Sequence, residues 1–170
     1  RLEKIDLIVY DFDGVMTNNK VLVTEDGKEA VFCNRADGLA VTKIKGMGIP
    51  QVILSTEENI IVDRRAQKLK IEAIRSVQDK KSSLINYCQK KNYSLKNVIY
   101  IGNDINDLEV MKIVGFPLAP QDASEGVKNI AKMIIKKKGG EGVIKEFFEN
   151  ILDVSSRNGD VRGLPNLRSI

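Results

Sequence analysis

Short unbroken runs of apolar residues recur along the chain and stop at polar clusters. They are Leu7-Ile8-Val9-Tyr10, Val52-Ile53-Leu54 (entered from Gln51), Val98-Ile99-Tyr100-Ile101 and Phe116-Pro117-Leu118-Ala119. Runs of this length without polar alternation predict strands covered on both faces, as in a parallel sheet. The segments between them carry helical spacing. Positions 35–46 place Leu39, Ala40, Lys43 and Ile44 on one face, and Gly46 and Gly48 close the helix. Further helices are predicted over 59–69, from Asp79 or Ser82 through Leu84, Ile85 and Cys88 to Lys91, and over 108–114, 123–131 and 142–152. Met133-Ile134-Ile135 reads as an edge strand, and 20–32 as a β-hairpin turning at Glu25-Asp26-Gly27-Lys28. Strands alternating with helices predict an α/β, doubly wound parallel sheet of Rossmann-like type with a β-hairpin insert. One domain over 1–152 is expected, followed by a polar, glycine-rich tail over 153–170 that is a mobile terminus or an arm.

Composition narrows the function. The chain has 170 residues, 42% hydrophobic and 29% charged, as in an ordinary globular domain. No stretch approaches the ~18 apolar residues of a membrane span, and the start lacks a signal-peptide core. Cys33 and Cys88 make neither a disulfide framework nor a metal pattern, so a reducing cytoplasm is the expected location. The chain opens on Arg1, which is compatible with a trimmed protein or a domain cut from a longer one. A net charge of +4 without a basic stripe or interleaved aromatics argues against nucleic acid and suits a small anionic substrate. The lysine run at 136–138 reads as solvated surface. Histidine is absent, which removes Ser-His-Asp and Cys-His catalysis and histidine metal sites, leaving carboxylates, lysine or tyrosine for proton transfer.

The strand ends carry the candidate chemistry. Asp11 and Asp13 follow the first apolar run one residue apart, with Gly14 next. Two acids so close repel each other unless a cation lies between them, which suggests a hard-metal site with Mg²⁺ as the first candidate. The plainer reading is a strand ending in a turn, since Asp and Gly favour turns. Ser55 and Thr56 end the second run, and Asn103, Asp104 and Asp107 end the third. Parallel strands gather such groups at one edge of the sheet. Carboxylates around a cation beside a hydroxyl and a lysine make a phosphoryl-transfer constellation.

At these residues the chain resembles the haloacid dehalogenase-like phosphatase superfamily, over roughly residues 5–152. Asp11-x-Asp13-Gly14-Val15 looks like the first motif of that family, Ser55 like the second-motif hydroxyl and Lys80 like the third-motif lysine. Gly102-Asn103-Asp104-(x)₂-Asp107 looks like the fourth, metal-binding motif, with Asn103 where relatives usually carry Asp. The resemblance implies Asp11 as nucleophile and Asp13 as general acid/base. It implies Ser55 and Lys80 holding the phosphoryl group, and Mg²⁺ bound by Asp11, the Asp13 carbonyl and either Asn103 or Asp104. For Asn103-Asp104 the plainer reading is a helix N-cap.

Only the hairpin and one helix separate the first two motifs, which resembles the capless branch of the superfamily. Its members include the 3-deoxy-D-manno-octulosonate 8-phosphate phosphatases. Asp37-Gly38-Leu39, Arg65-Ala66-x-x-Leu69 and Gly139-Gly140-x-Gly142-Val143-Ile144 agree with that branch. It implies a homotetramer with the hairpin at the interface, and a tail that could reach a neighbouring site. Thr56-Glu57 in place of Gly-Arg after Ser55, with Lys68 further on, resembles the nonulosonate (sialic acid-type) 9-phosphate phosphatases. It also resembles the phosphatase-like domain of some acylneuraminate cytidylyltransferases. On this reading Glu57, Lys68 and Thr56 would bind the sugar, whereas the plainer reading pairs Glu57 with Lys68 on a solvated helix face. The expected function is Mg²⁺-dependent hydrolysis of a 2-keto-3-deoxy sugar acid phosphate, with a nonulosonate 9-phosphate as the first choice, through an aspartyl-phosphate. The rivals are the eight-carbon phosphatase, a non-catalytic tetramerisation domain of a cytidylyltransferase, and a receiver domain that stays phosphorylated without turnover.

Overall fold

The computed structural model describes residues 4–153, so the predicted tail beyond Asp153 lies outside the described residues. Its strands are β1 (Leu7–Tyr10), β2 (Leu22–Val23), β3 (Glu29–Ala30), β4 (Gln51–Leu54), β5 (Glu72–Ile74), β6 (Val98–Ile101), β7 (Phe116–Pro120) and β8 (Met133–Ile135). The helices are α1 (Arg35–Gly46), α2 (Ile61–Leu69), α3 (Lys80–Lys91), α4 (Leu108–Met111), α5 (Glu125–Ile130) and α6 (Val143–Phe147), the last continued by wider turns over Phe148–Leu152. Six strands form one parallel sheet in the order β5-β4-β1-β6-β7-β8, while β2 and β3 pair antiparallel as a separate hairpin.

Strand alternation divides the core in two. Ile8 and Tyr10 of β1 face Val41 and Ile44 of α1, Val62 and Ala66 of α2, and Ile144 and Phe147 of α6. Leu7 and Val9 face the other way, onto Leu84 and Cys88 of α3, Val110 and Met111 of α4, and Val127 of α5. Helices on both faces explain why β1, β4 and β6 are buried at every position, and why their sequences carry no polar alternation. Each such aliphatic side chain contributes about 1.5–3 kcal/mol by leaving water. The doubly wound sheet is the predicted one, and no cap is inserted among the described residues: only a helical turn over Phe12–Met16 and the hairpin stand between β1 and α1.

Local differences have local causes. The sequence reading omits β5, an edge strand of three partly exposed residues with too little apolar signal. The predicted helix over 108–114 is a tight turn, Ile105–Asp107, followed by the short α4. It ends early because the Gly115 N–H goes to the Leu95 carbonyl and the chain turns into β7. Helix α5 starts at Glu125 because the Ser124 N–H is held by the Asn103 carbonyl. The hairpin pairs over fewer residues than 20–32, with Leu22 62% and Phe32 75% exposed.

Strand order reverses at β1. The chain winds from β1 outward through β4 to β5, returns through α3, and winds outward on the other side from β6. The crevice beyond the carboxyl ends of β1 and β6 is therefore where such a sheet presents ligands.

Candidate active site

Sheet hydrogen bonding carries on past the strand ends and sets the polar residues in place. Asp11 N–H donates to the Ile101 carbonyl (2.9 Å), Ser55 N–H to the Ile74 carbonyl (2.9 Å) and Gly102 N–H to the Leu118 carbonyl (3.1 Å). Three neighbouring strands thus bring Asp11, Ser55 and Asn103 to one edge, around a hollow of about 250 Å³ that Asp13, Thr56 and Asp104 also line.

After Asp11 the backbone turns sharply. Asp13 is extended (φ −73°, ψ 125°), and Gly14 takes φ 82°, a left-handed value that only glycine adopts freely. A Cβ on Gly14 would fall inside the Asn103 carboxamide, so the missing side chain lets β1 and β6 close on each other. Thr17, which the sequence reading leaves without a role, braces this turn. Its hydroxyl donates to Asp13 Oδ1 (3.2 Å) and accepts from the Gly14 and Asn19 N–H groups (3.2 and 3.1 Å).

Lys80 enters from the first residue of α3, whose N-terminus Asp79 caps by accepting from Ser82 N–H. Its ammonium lies 2.8 Å from Asp11 Oδ1 and 2.8 Å from Asp107 Oδ1, and all three side chains are at least 94% buried. Asp107, which the sequence places in the fourth motif without a role of its own, is the second partner of Lys80. Its Oδ1 also accepts from the Tyr100 hydroxyl (2.7 Å), and its Oδ2 from the Asn103 and Asp104 N–H groups (2.9 and 3.3 Å). Gly102 makes room for it, since a Cβ there would sit 2.8 Å from the Asp107 Cβ. The available signal is an Asp three residues after a capping Asp, read simply as part of a motif.

One ammonium between two buried carboxylates leaves a negative excess. Burial, and then the Asp107 charge, push the Asp11 carboxyl well above the usual carboxylate range, while Lys80 pulls it back. Burial alone would lower the Lys80 pKa, but Asp11 and Asp107 together raise it, so the ammonium stays protonated. Burial also raises Asp13; its Thr17 hydrogen bond opposes this, and the Glu57 charge adds to it.

The donor set suits a hard cation. The Asn103 carboxamide oxygen lies 2.8 Å from Asp11 Oδ2 and 3.0 Å from the Asp13 carbonyl oxygen. Three acceptors with no proton among them repel one another. A turned amide would relieve this by donating its NH₂ to both oxygens; a bound divalent cation would use all three oxygens as ligands. Among the described residues no group of three or more His, Cys, Asp and Glu side chains is placed to hold a metal. A site here therefore rests on one carboxylate, one main-chain carbonyl and one carboxamide.

The structure divides the two predicted alternatives at Asn103-Asp104. Asn103 is the side chain that reaches Asp11. Asp104 is exposed, accepts from the Ile105 N–H (2.7 Å) and forms a capping box with Asp107, which is the plainer reading. The predicted sugar-binding residues also separate. Ser55 Oγ accepts from Glu57 N–H (3.1 Å), which leaves its own hydrogen free to face the hollow. Thr56 stands at the rim, where its hydroxyl accepts from Asn106 at 3.5 Å. Glu57 lines an adjoining cavity. Lys68 does not join it: it is exposed near the end of α2 and lines none of the described cavities.

This arrangement coincides with a family match. Residues 49–147 fit the model of the haloacid dehalogenase-like hydrolases, more than half of the chain. The N-acylneuraminate cytidylyltransferase of Oncorhynchus mykiss is 27% identical over 154 residues, covering 88% of this chain and 36% of that protein. The chain thus spans about a third of the length of such cytidylyltransferase relatives. The 3-deoxy-D-manno-octulosonate 8-phosphate phosphatase KdsC of Haemophilus influenzae is 25% identical, covering 93% of this chain and 88% of that protein. The crystal structure of the Moraxella catarrhalis 3-deoxy-D-manno-octulosonate 8-phosphate phosphatase, in complex with magnesium, phosphate and KDO, superposes with a TM-score of 0.86 at 28% identity. It covers 93% of this chain and 90% of that one. With its motifs in order on a doubly wound sheet, the chain belongs to the haloacid dehalogenase-like hydrolases.

Proposed function

We propose that the chain is a Mg²⁺-dependent phosphatase acting on a 2-keto-3-deoxy sugar acid phosphate. The observation that carries this reading is the Asp11 carboxylate, fixed by Lys80 on one oxygen and converging with the Asp13 carbonyl and the Asn103 amide on the other. Asp11 attacks phosphorus in line, the phosphorus–oxygen ester bond breaks, and Asp13 gives its proton to the departing sugar oxygen. Asp13 then takes a proton from the water that attacks phosphorus, and phosphate leaves Asp11. A general acid must still hold its proton near neutrality, and the raised pKa of Asp13 favours this. Ser55 donates its free hydrogen to a phosphoryl oxygen, and Lys80 offsets the charge between nucleophile and phosphate. Asp11, the Asp13 carbonyl and Asn103 are the residues that would hold Mg²⁺, which when bound supplies positive charge to the phosphoryl oxygens.

The nine-carbon substrate is favoured by Glu57 in the adjoining cavity and by the likeness to the cytidylyltransferases. The likeness to the octulosonate phosphatases makes the eight-carbon compound the second candidate. The exposed hairpin residues Leu22 and Phe32, with Leu39 of α1 70% exposed, support the expected homotetramer. Phosphate release from eight- and nine-carbon keto-acid phosphates, by the unaltered chain and by Asp11→Asn, tests the reading. Release that depends on Asp11 and Mg²⁺ is expected. Equal background release by both proteins would favour a scaffold domain within a cytidylyltransferase, a role suggested by the share of those relatives that the chain spans.

A further inference from the structure

Beside the catalytic hollow lies a second cavity of about 220 Å³, lined by Asp13, Asn19, Lys20, Glu29, Glu57 and Asn59 among others. Asp13 and Asn19 line both spaces, so a phosphate ester bound at Asp11 would extend its leaving group into the second one. Two acids of separate origin face each other there: Glu29 from β3 of the hairpin, and Glu57 from the loop after β4. Asn59 joins them. Its main-chain N–H donates to Glu57 Oε1 (2.8 Å), and its side-chain amide donates to Glu29 Oε2 (3.1 Å). Its amide oxygen accepts from Ile61 N–H (3.0 Å), which anchors the residue to the first turn of α2. Asn59 is also the side chain that ties the hairpin to this loop across the cavity.

On the phosphatase reading above, we infer that Asn59 is a positioning residue. It holds Glu29 and Glu57 as one carboxylate wall beside Asp13 that accepts hydrogen bonds from a polyhydroxylated leaving group. Ionised carboxylates accept and never donate, so the wall is matched by hydroxyl groups. It repels anions, with Lys20 the one cationic side chain in the lining. A sugar acid would therefore lay its hydroxyls against Glu29 and Glu57 and turn its own carboxylate toward the opening. Without Asn59 the two acids repel each other and the hairpin loses its tie to the site, so the wall is no longer preorganised.

The test compares kcat and KM of the full chain in Mg²⁺ for an eight- or nine-carbon keto sugar acid phosphate and for p-nitrophenyl phosphate, whose leaving group has no hydroxyls to offer. Asn59→Ala is expected to raise KM for the sugar phosphate about tenfold, with a smaller change in kcat. Selectivity over p-nitrophenyl phosphate falls by a similar factor. Asn59→Asp keeps the α2 anchor but sets a third carboxylate against Glu29, and it lowers selectivity too. Parallel losses on both substrates, or no loss, would overturn the proposal. Failure of the phosphatase reading shows separately, as absence of Asp11-dependent release from either compound by the unaltered chain, and the proposal falls with it.

Discussion

Lys80 and Asp11 form a buried ion pair, Nζ to Oδ1 2.8 Å, in which the ammonium is shared with Asp107 at the same distance. Removing the ammonium strands two carboxylates in the interior. Lys80→Met is therefore expected to cost about 3–5 kcal/mol of stability. Turnover should fall by about 10²–10³-fold, the usual loss when a charge-stabilising donor is removed. Urea unfolding and phosphate release check both, and a stable, active variant would refute the shared-ammonium arrangement.

Asn103 sets a neutral carboxamide next to the Asp11 carboxylate. Asn103→Asp adds a ligand charge and is expected to lower the Mg²⁺ concentration for half-maximal activity by about tenfold. The same charge adds to the negative excess when no cation is bound, so the variant should melt earlier than the parent in chelator. It should also gain more on adding Mg²⁺. Activity titrations and paired thermal melts measure the two effects, and opposite signs are the diagnostic.

Asp37, on the far side of α1 from solvent, accepts from the Ile144 and Lys145 N–H groups (3.1 and 3.0 Å) and so ties α1 to the start of α6. Burial pushes its carboxyl up to about 6, against those hydrogen bonds and the Arg65 charge, and its Oδ2 has no hydrogen-bond partner. A carboxyl raised on folding binds its proton more tightly in the native state. Its stabilising effect is full below pH 3.8 and is lost as pH rises through about 6. The swing is about 3 kcal/mol. Asp37→Asn keeps an acceptor for both N–H groups and removes the titration. It should flatten stability between pH 4 and pH 6 and raise it at pH 8. Denaturant unfolding across that range measures the slope, and an unchanged slope would sink the assignment.

Gly14 and Gly27 share a left-handed backbone, φ 82° and 79°, but only Gly14 abuts another side chain. Alanine at either costs about 1–2 kcal/mol of backbone strain. Gly14→Ala must also displace Asn103, so it should lose most Mg²⁺-dependent turnover. Gly27→Ala at the hairpin tip should show the stability cost with a much smaller loss of activity. Thermal melts and phosphate release on the two variants separate strain from site disruption.

Much of this protein was legible in its sequence because the deciding signals are local. An apolar run without alternation means a strand covered on both faces, so β1, β4 and β6 were placed to the residue. Helix α1 ran over its predicted span because a capping Asn34, an apolar face and the glycines at 46 and 48 lie along one short stretch. Polar residues directly after such strands mark the ligand edge of the sheet, which brought Asp11, Ser55 and Asn103 into view. What the tertiary structure alone decided depends on where separate segments meet. Asp107 clamps Lys80 across the β1–β6 crevice, Asn103 rather than Asp104 turns to Asp11, and Lys68 stays on the solvent face of α2 while Asn59 reaches Glu29. Such pairings are set by helix azimuth and strand stagger to within a few ångströms, and the order of residue types along one chain carries no such distances.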